Sequence, residues 1–316
     1  MRLAVIGAGA VGWAVADQAA DREHAVVALA DSRGAVVDAA GVDLDAVAQR
    51  RAAGDPVGDR SPGAALEADY DVLVEATPTT LGDAEPGFGH VERALDRDRH
   101  VVLANKGPVA ERYDDLQALA AASAGSVRFE ATVGGAIPAI ATIEGVGPRR
   151  VQTVRGVLNG TANFVLTRMA AEGLAFDHVL AEAQDLGVAE ADPSFDVDGT
   201  DAALKCAIVA NLLRDGGVTL ADVAVDGIRD VPGRALDLAA EAGRTIRLVG
   251  EVTPTTVRVG PRLVPSAGAL AVEGTTNVVQ LGTDHAGTLT LQGPGAGGAA
   301  TATAVLADVD RLPPRS

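Results

Sequence analysis

Asp201 and Lys205 stand four residues apart at the end of the stretch VAEADPSFDVDGTDAALK, residues 188–205, which carries five carboxylates: Glu190, Asp192, Asp196, Asp198 and Asp201. Pro193 and Gly199 rule out one continuous helix across it. After Gly199 the pattern turns helical, with Thr200 as N-cap and Asp201 in the first turn, where the helix dipole favours an anion. Asp201 and Lys205 then share one helix face. The chain has 26 lysines and arginines, and only Lys106 and Lys205 are lysines. Arginine stays protonated at any working pH, whereas a lysine amine, with a reference pKa of about 10.4, is tuned by its surroundings to give and take a proton. Both lysines are therefore candidates for work that arginine cannot do.

The elements that must position these groups begin at the N-terminus. Residues 3–6 form a short apolar run suited to a buried parallel strand, and Gly7-Ala8-Gly9-Ala10-Val11-Gly12 follows at once as G-x-G-x-x-G. The first glycine permits a tight turn, the second lets the backbone approach a pyrophosphate, and the third allows the next helix to pack closely on the strand. Helix N-terminal amides then hold the phosphates. A helical stretch to about residue 20 and a second strand over 26–30 lead to Asp31, placed to bind the adenosine ribose hydroxyls of a dinucleotide. Asp31 favours NAD, while Arg33 offers a positive charge to a 2′-phosphate, so NAD and NADP both stay open.

Further along, a helix over 44–53 and an exposed loop over 55–63 precede a strand over 70–75, which ends in Ala76-Thr77-Pro78-Thr79-Thr80. A strand over 100–104 ends in Asn105-Lys106-Gly107-Pro108. Loops at the carboxyl ends of strands are where open α/β sheets bind ligands, which places Lys106 beside the nicotinamide end. A helix over 114–122 and a strand over 127–131 close this half. The second half reads as a strand over 151–158, helices over 164–171, 177–186, 201–213 and 234–242, short strands over 245–252, 256–259, 277–281 and 288–291, and a last helix over 301–309.

Composition narrows the class of protein. With 316 residues, 47% of them hydrophobic, the chain can bury sizeable cores, and aromatics at 3% leave these to Ala, Val and Leu. A formal net charge of −17 and a pI near 4.6 argue against nucleic acid or an anionic membrane surface as partner. No apolar run reaches the roughly 18 residues that a membrane span needs, and a cytoplasmic protein is expected. The single cysteine, Cys206, excludes an internal disulfide and a cysteine-based zinc site, and it reads as a buried, inert thiol. The five histidines show no metal-ligand spacing.

Six segments, in the same order, resemble homoserine dehydrogenase over nearly the whole chain: the G-x-G-x-x-G turn, ANKGP at 104–108, EATVGGAIP at 130–138, GVLNGTANFVLTRM at 156–169, AEADPSFDVDGTDAALK at 189–205 and GPGAGGAATATAV at 293–305. The resemblance implies an α/β fold. A Rossmann-type, doubly wound parallel sheet would occupy 1–134, a second α/β domain that binds substrate and forms a homodimer 135–296, and a helix returning to the first domain 297–316. It implies that Lys205 is the general acid when L-aspartate 4-semialdehyde is reduced to L-homoserine, and the general base in reverse, with Asp201 holding it in place. Such a lysine suits the chemistry, because hydride arriving from a nicotinamide leaves an alkoxide that a positioned ammonium stabilises and protonates. By the same resemblance Glu190 and Asp196 bind the substrate ammonium, Lys106 is a second positive group near the substrate, and Thr77, Asn105 and Gly295 join the glycine turn in lining the coenzyme. Relatives also hold a structural monovalent cation, commonly sodium, at a site matching Glu130 and the main-chain carbonyls of Val133, Gly135 and Ile137; a simple turn with Glu130 solvated is the alternative. Many relatives carry a regulatory domain, and feedback through one is not expected here.

Two other functions fit parts of this pattern: a related amino-acid or semialdehyde oxidoreductase on the same architecture, and a non-catalytic dinucleotide sensor, for which Asp201 and Lys205 would be dispensable. The acid-rich, lysine-poor surface suggests life in concentrated salt, where self-repulsion is screened, although genomic base composition produces the same bias toward arginine. If salt adaptation is the cause, the thermal midpoint rises steeply between dilute buffer and molar potassium chloride. Full stability in dilute buffer refutes it.

Overall fold

Apolar side chains on both faces make the first strand a central one. In β1 (Arg2–Ile6), Leu3, Ala4 and Val5 are fully buried, as expected for a parallel strand covered on both sides. The structure is a computed structural model that describes residues 1–314. It divides into two compact units, one comprising Met1–Ala136 with the chain from Ala296 onward, the other Ile137–Gly295.

In the first unit β1 is flanked by β2 (Ala25–Ala30) and, beyond it, β3 (Ala35–Val37) on one side, and by β4 (Val72–Glu75), β5 (His100–Leu103) and β6 (Val127–Arg128) on the other. All pairings are parallel except β2 with β3. The order β3-β2-β1-β4-β5-β6 runs outward both ways from β1, so the carboxyl ends of β1 and β4 bound the crevice of a doubly wound sheet. The helix Ala10–Gln18 and the last helix, Gly298–Asp310, pack together, and Val15, Ala16, Val305, Leu306 and Val309 join Leu3 and Val5 in one core. A Cβ at Gly298 would lie 2.7 Å from the Ala10 carbonyl oxygen, a contact only glycine allows at that helix crossing.

Three stretches of this unit depart from the sequence reading. The strand expected over 127–131 is only Val127–Arg128, and Ala131–Gly134 is helical. The Glu130 amide donates to Asp308 Oδ2 at 2.7 Å, and both the amide and the hydroxyl of Thr132 donate to Phe129 O, so the last helix supplies an acceptor that draws the chain out of the sheet. The loop over 55–63 is not simply exposed, because Arg60 bridges to Ala35 and Val57 is 1% exposed. A helix at Gly87–Leu95, absent from the sequence reading, buries Phe88, Val91, Ala94 and Leu95.

The second unit holds a sheet in the order β12-β11-β7-β9-β10-β8, formed by β7 (Val151–Val157), β8 (Ala224–Val225), β9 (Arg244–Val252), β10 (Val257–Pro265), β11 (Thr276–Thr283) and β12 (Thr288–Pro294). Only the β8–β10 pairing is parallel. Against β9 and β10 packs the helix Thr200–Arg214, buried at every position from Asp201 to Asn211, as befits a helix that is apolar nearly all round. Its N-cap is Gly199 rather than Thr200: Gly199 is left-handed at φ 88°, and a Cβ there would meet Val225 Cγ1 at 2.9 Å. An earlier helix, Gly160–Glu172, starts four residues before the expected Phe164, because Asn159 Oδ1 accepts the Ala162 amide at 2.8 Å and caps it.

The glycine turn supplies a test of the fold. A Cβ at Gly12 would lie 1.8 Å from the Gly7 carbonyl oxygen, whereas one at Gly9 would meet nothing within 4 Å. Gly12→Ala should cost about 1–3 kcal/mol through overpacking, and Gly9→Ala less than about 0.5 kcal/mol as an uncrowded surface change. Urea unfolding of both variants measures the difference, and equal losses would refute the packing role of Gly12.

Candidate active site

The turn after β1 is shaped by backbone crowding. Gly7 is at φ 101°, and a Cβ on it would lie 2.4 Å from Ala76 O, so the β1 and β4 loops touch there. Gly9 is the N-cap of the Ala10–Gln18 helix, Gly9 and Ala10 are exposed, and Val11 is half-buried. The first amides of a nine-residue helix and the open space at Gly9 form a cradle suited to a pyrophosphate.

Beyond β2, Asp31 ties down the loop that follows. Its Oδ1 accepts the amides of Arg33 at 2.8 Å and Gly34 at 2.7 Å, and its Oδ2 accepts that of Val57 at 3.2 Å. Arg33 donates to the carbonyls of Gly54 and Asp55 at 2.9 and 3.1 Å, which holds its guanidinium 4.0 Å from Asp31 Oδ2. Arg51, a residue the sequence reading passed over, donates to Ala8 O and lies 4.5 Å above the Trp13 ring. A pocket of about 240 Å³ is lined by Ala8, Asp31, Arg33, Arg51, Asp55 and Val57.

At the end of β4 the Glu75 carboxylate is fully buried and accepts four donors. Oε1 takes the Thr77 amide at 3.0 Å, the Thr77 hydroxyl and Asn105 Nδ2 at 3.3 Å, and Oε2 pairs with His90 Nδ1 at 2.7 Å. Asn105, 1% exposed, also donates to Thr77 Oγ1 at 3.1 Å and accepts the Gly107 amide at 2.9 Å. Asn105 therefore joins the loops after β4 and β5 from within. Lys106 follows it, half-buried, with its amide 3.4 Å from Thr79 Oγ1. Neither Glu75 nor His90 was singled out from sequence, where Glu75 reads as no more than the last residue of a strand.

In the second unit Lys205 is 6% exposed. Its Nζ donates to Asp201 Oδ2 at 2.7 Å and to the Leu158 carbonyl at the end of β7 at 2.6 Å. The i, i+4 spacing does bring Asp201 and Lys205 together on one helix face. Asp196 joins them through Asn159, whose Nδ2 donates to Asp196 Oδ1 at 2.6 Å and Asp201 Oδ2 at 3.0 Å. Glu190 is exposed, with its carbonyl accepting Gln184 Nε2 at 3.1 Å. Asp198 turns away to Arg229 at 2.5 Å. Gly295 follows β12, where a Cβ would lie 1.8 Å from Asn277 Nδ2. Cys206 is buried against Gly250, and burial pushes its thiol up to about 12, so thiolate chemistry has no footing there.

Glu130 is 2% exposed, with Arg311 Nη1 3.8 Å from its Oε2, so it is not solvated. The helix Ala131–Gly134 ends at Gly135, whose φ of 59° stops it and leaves last-turn carbonyls without a following helical amide. Ile137 O accepts the Ala139 amide at 2.8 Å.

Among the described residues, no helix is long and apolar enough to cross a membrane. A family model described as homoserine dehydrogenase matches residues 138–309, and one described as glutamate/leucine/phenylalanine/valine dehydrogenase matches residues 1–78. The chain is 38% identical to the homoserine dehydrogenase of Methanocaldococcus jannaschii over 98% of this chain and 97% of that protein. It is 33% identical to the NAD(+)-dependent homoserine dehydrogenase of Pseudomonas canavaninivorans over 98% of this chain and 95% of that protein. Among solved structures, one from Archaeoglobus fulgidus assigned as a homoserine dehydrogenase superposes with a TM-score of 0.89 at 37% identity, covering 98% of each chain. A hyperthermophilic archaeal homoserine dehydrogenase in complex with NADPH superposes at 0.85 with 29% identity, covering 98% of this chain and 96% of that one. With a family model spanning more than half of its length and a relative this similar over nearly all of it, the chain belongs to the homoserine dehydrogenase family.

Proposed function

We propose that Lys205 moves the proton in the reaction of this family, the NAD(P)-dependent interconversion of L-aspartate 4-semialdehyde and L-homoserine, an oxidoreduction at a CH–OH group. The observation that carries this reading is a buried lysine with one hydrogen bond to a carboxylate and one to a main-chain carbonyl. These bonds use two of the three donors of an ammonium and leave one for a substrate oxygen. When bound, the nicotinamide coenzyme gives a hydride to the aldehyde carbon or takes one from the alcohol carbon. In reduction the Lys205 ammonium donates its proton to the oxygen that becomes the hydroxyl; in oxidation the neutral amine takes that proton back. Asp201 holds the amine in place. Asp196 and Glu190 bind the substrate ammonium, and Lys106 adds a positive charge near the substrate.

The glycine turn holds the pyrophosphate, and Thr77, Asn105 and Gly295 line the coenzyme, Asn105 acting through the loop it braces. The adenosine pocket suits both coenzymes. Asp31 spends its charge on three amides and still presents a carboxylate to the ribose, while Arg33 and Arg51 present guanidiniums to a 2′-phosphate. Glu130 and the carbonyls of Val133, Gly135 and Ile137 would hold a monovalent cation, which would brace the turn. That reading is supported by the burial of Glu130 and the unextended last turn beside it. A cytoplasmic homodimer adapted to salt, acting in threonine and methionine biosynthesis, completes the proposal.

Lys205→Met should lower kcat for homoserine oxidation by about 10²–10⁴-fold, with NADPH affinity unchanged by fluorescence titration; near-normal turnover refutes the assignment. Replacing both Arg33 and Arg51 by alanine should weaken NADP about tenfold or more, from lost charge-assisted hydrogen bonds, while leaving NAD little changed. Equal loss for both coenzymes would remove the 2′-phosphate role.

A further inference from the structure

The geometry points to Asn159 as a positioning residue that keeps two neighbouring carboxylates to separate tasks, Asp201 on the lysine and Asp196 toward the substrate. This inference rests on the proton-transfer reading of Lys205. Asn159 is 4% exposed, and all of its amide capacity but one acceptor lone pair is committed. Oδ1 caps the Gly160–Glu172 helix through the Ala162 amide, which fixes which way the amide faces. Nδ2 then gives one hydrogen to Asp196 at 2.6 Å and the other to Asp201 at 3.0 Å. Leu158, the preceding residue, supplies the carbonyl on Lys205. One dipeptide at the end of β7 therefore orients every charged group in this cluster: Asp196, Asp201 and Lys205.

A neutral donor is the group this place requires. Two carboxylates sharing a site disfavour each other's ionised form, and one of them would take up a proton or draw on Lys205. An amide hydrogen on each stabilises both anions while having no proton to exchange near neutral pH. Asp196 can then stay ionised toward the substrate ammonium while Asp201 stays with Lys205. A third carboxylate in place of the amide would reverse this, repelling both aspartates and holding the proton on the lysine.

Asn159→Asp tests the idea, because an oxygen still caps Ala162 while the donor becomes a charge. KM for L-homoserine should rise about tenfold, from the lost charge-assisted hydrogen bond, and the acid limb of the kcat profile for oxidation should move to higher pH. NADPH affinity should stay as in the wild type. Asn159→Ser, which keeps a capping oxygen but carries no charge, should raise KM without moving the acid limb, and it decides the matter if the aspartate variant does not fold. A fall in thermal midpoint with KM and pH profile unmoved in both variants would make Asn159 a helix cap only and overturn the inference. An inactive wild type, or an active Lys205→Met variant, would instead overturn the proton-transfer reading on which it rests.

Discussion

A charged amine survives inside a protein only where acceptors replace the water it has lost, and Lys205 imposes that condition on its whole neighbourhood. It lies on a helix buried at every position from Asp201 to Asn211, so the acceptors must come from the fold. One comes from the same helix, a turn earlier, and the other from a main-chain carbonyl at the end of β7. That strand is held between β9 and β11, which leaves the carbonyl little freedom. The arrangement that makes burial tolerable also aims the amine, so the same two bonds do both.

The first unit meets the same difficulty with the opposite charge. Glu75, wholly buried at the end of β4, is surrounded by donors from residues 77, 90 and 105. Three separate segments are drawn to one carboxylate, and two of them are the loops at the carboxyl ends of neighbouring strands. A buried anion thus does for the loops after β4 and β5 what a buried cation does in the second unit.

What could be read from the sequence follows from how local each cause is. The tight turn at Gly7 and the close helix packing at Gly12 were legible because their reasons are backbone reasons, and the φ of 101° at Gly7 and the crowding at Gly12 agree with them. Asp201 and Lys205 were legible because helical spacing alone puts them on one face. Asn159 was not, since an asparagine before a helix reads as a cap; its second task depends on Asp196 and Asp201, roughly forty residues further on. Arg51 reads as a basic residue suited to the last turn of its helix, and only the folded chain sets it against Trp13 and Ala8. The shortened strand at Val127–Arg128 failed for the same reason, because its competing acceptor, Asp308, lies near the other end of the chain.

The last helix carries this dependence into the order of synthesis. Ala302, Val305, Leu306 and Val309 belong to the core around Leu3, Val5 and Val15, although the whole second unit is translated between them. A nascent chain leaves the ribosome from the N-terminus, at about 5–20 residues per second. The first sheet must therefore wait, with an apolar face uncovered, until the final helix emerges, whereas the second unit has its entire sequence in hand sooner. The first unit closes its core only after the second has been translated, and until then that face is the kind of exposed apolar surface that chaperones cover.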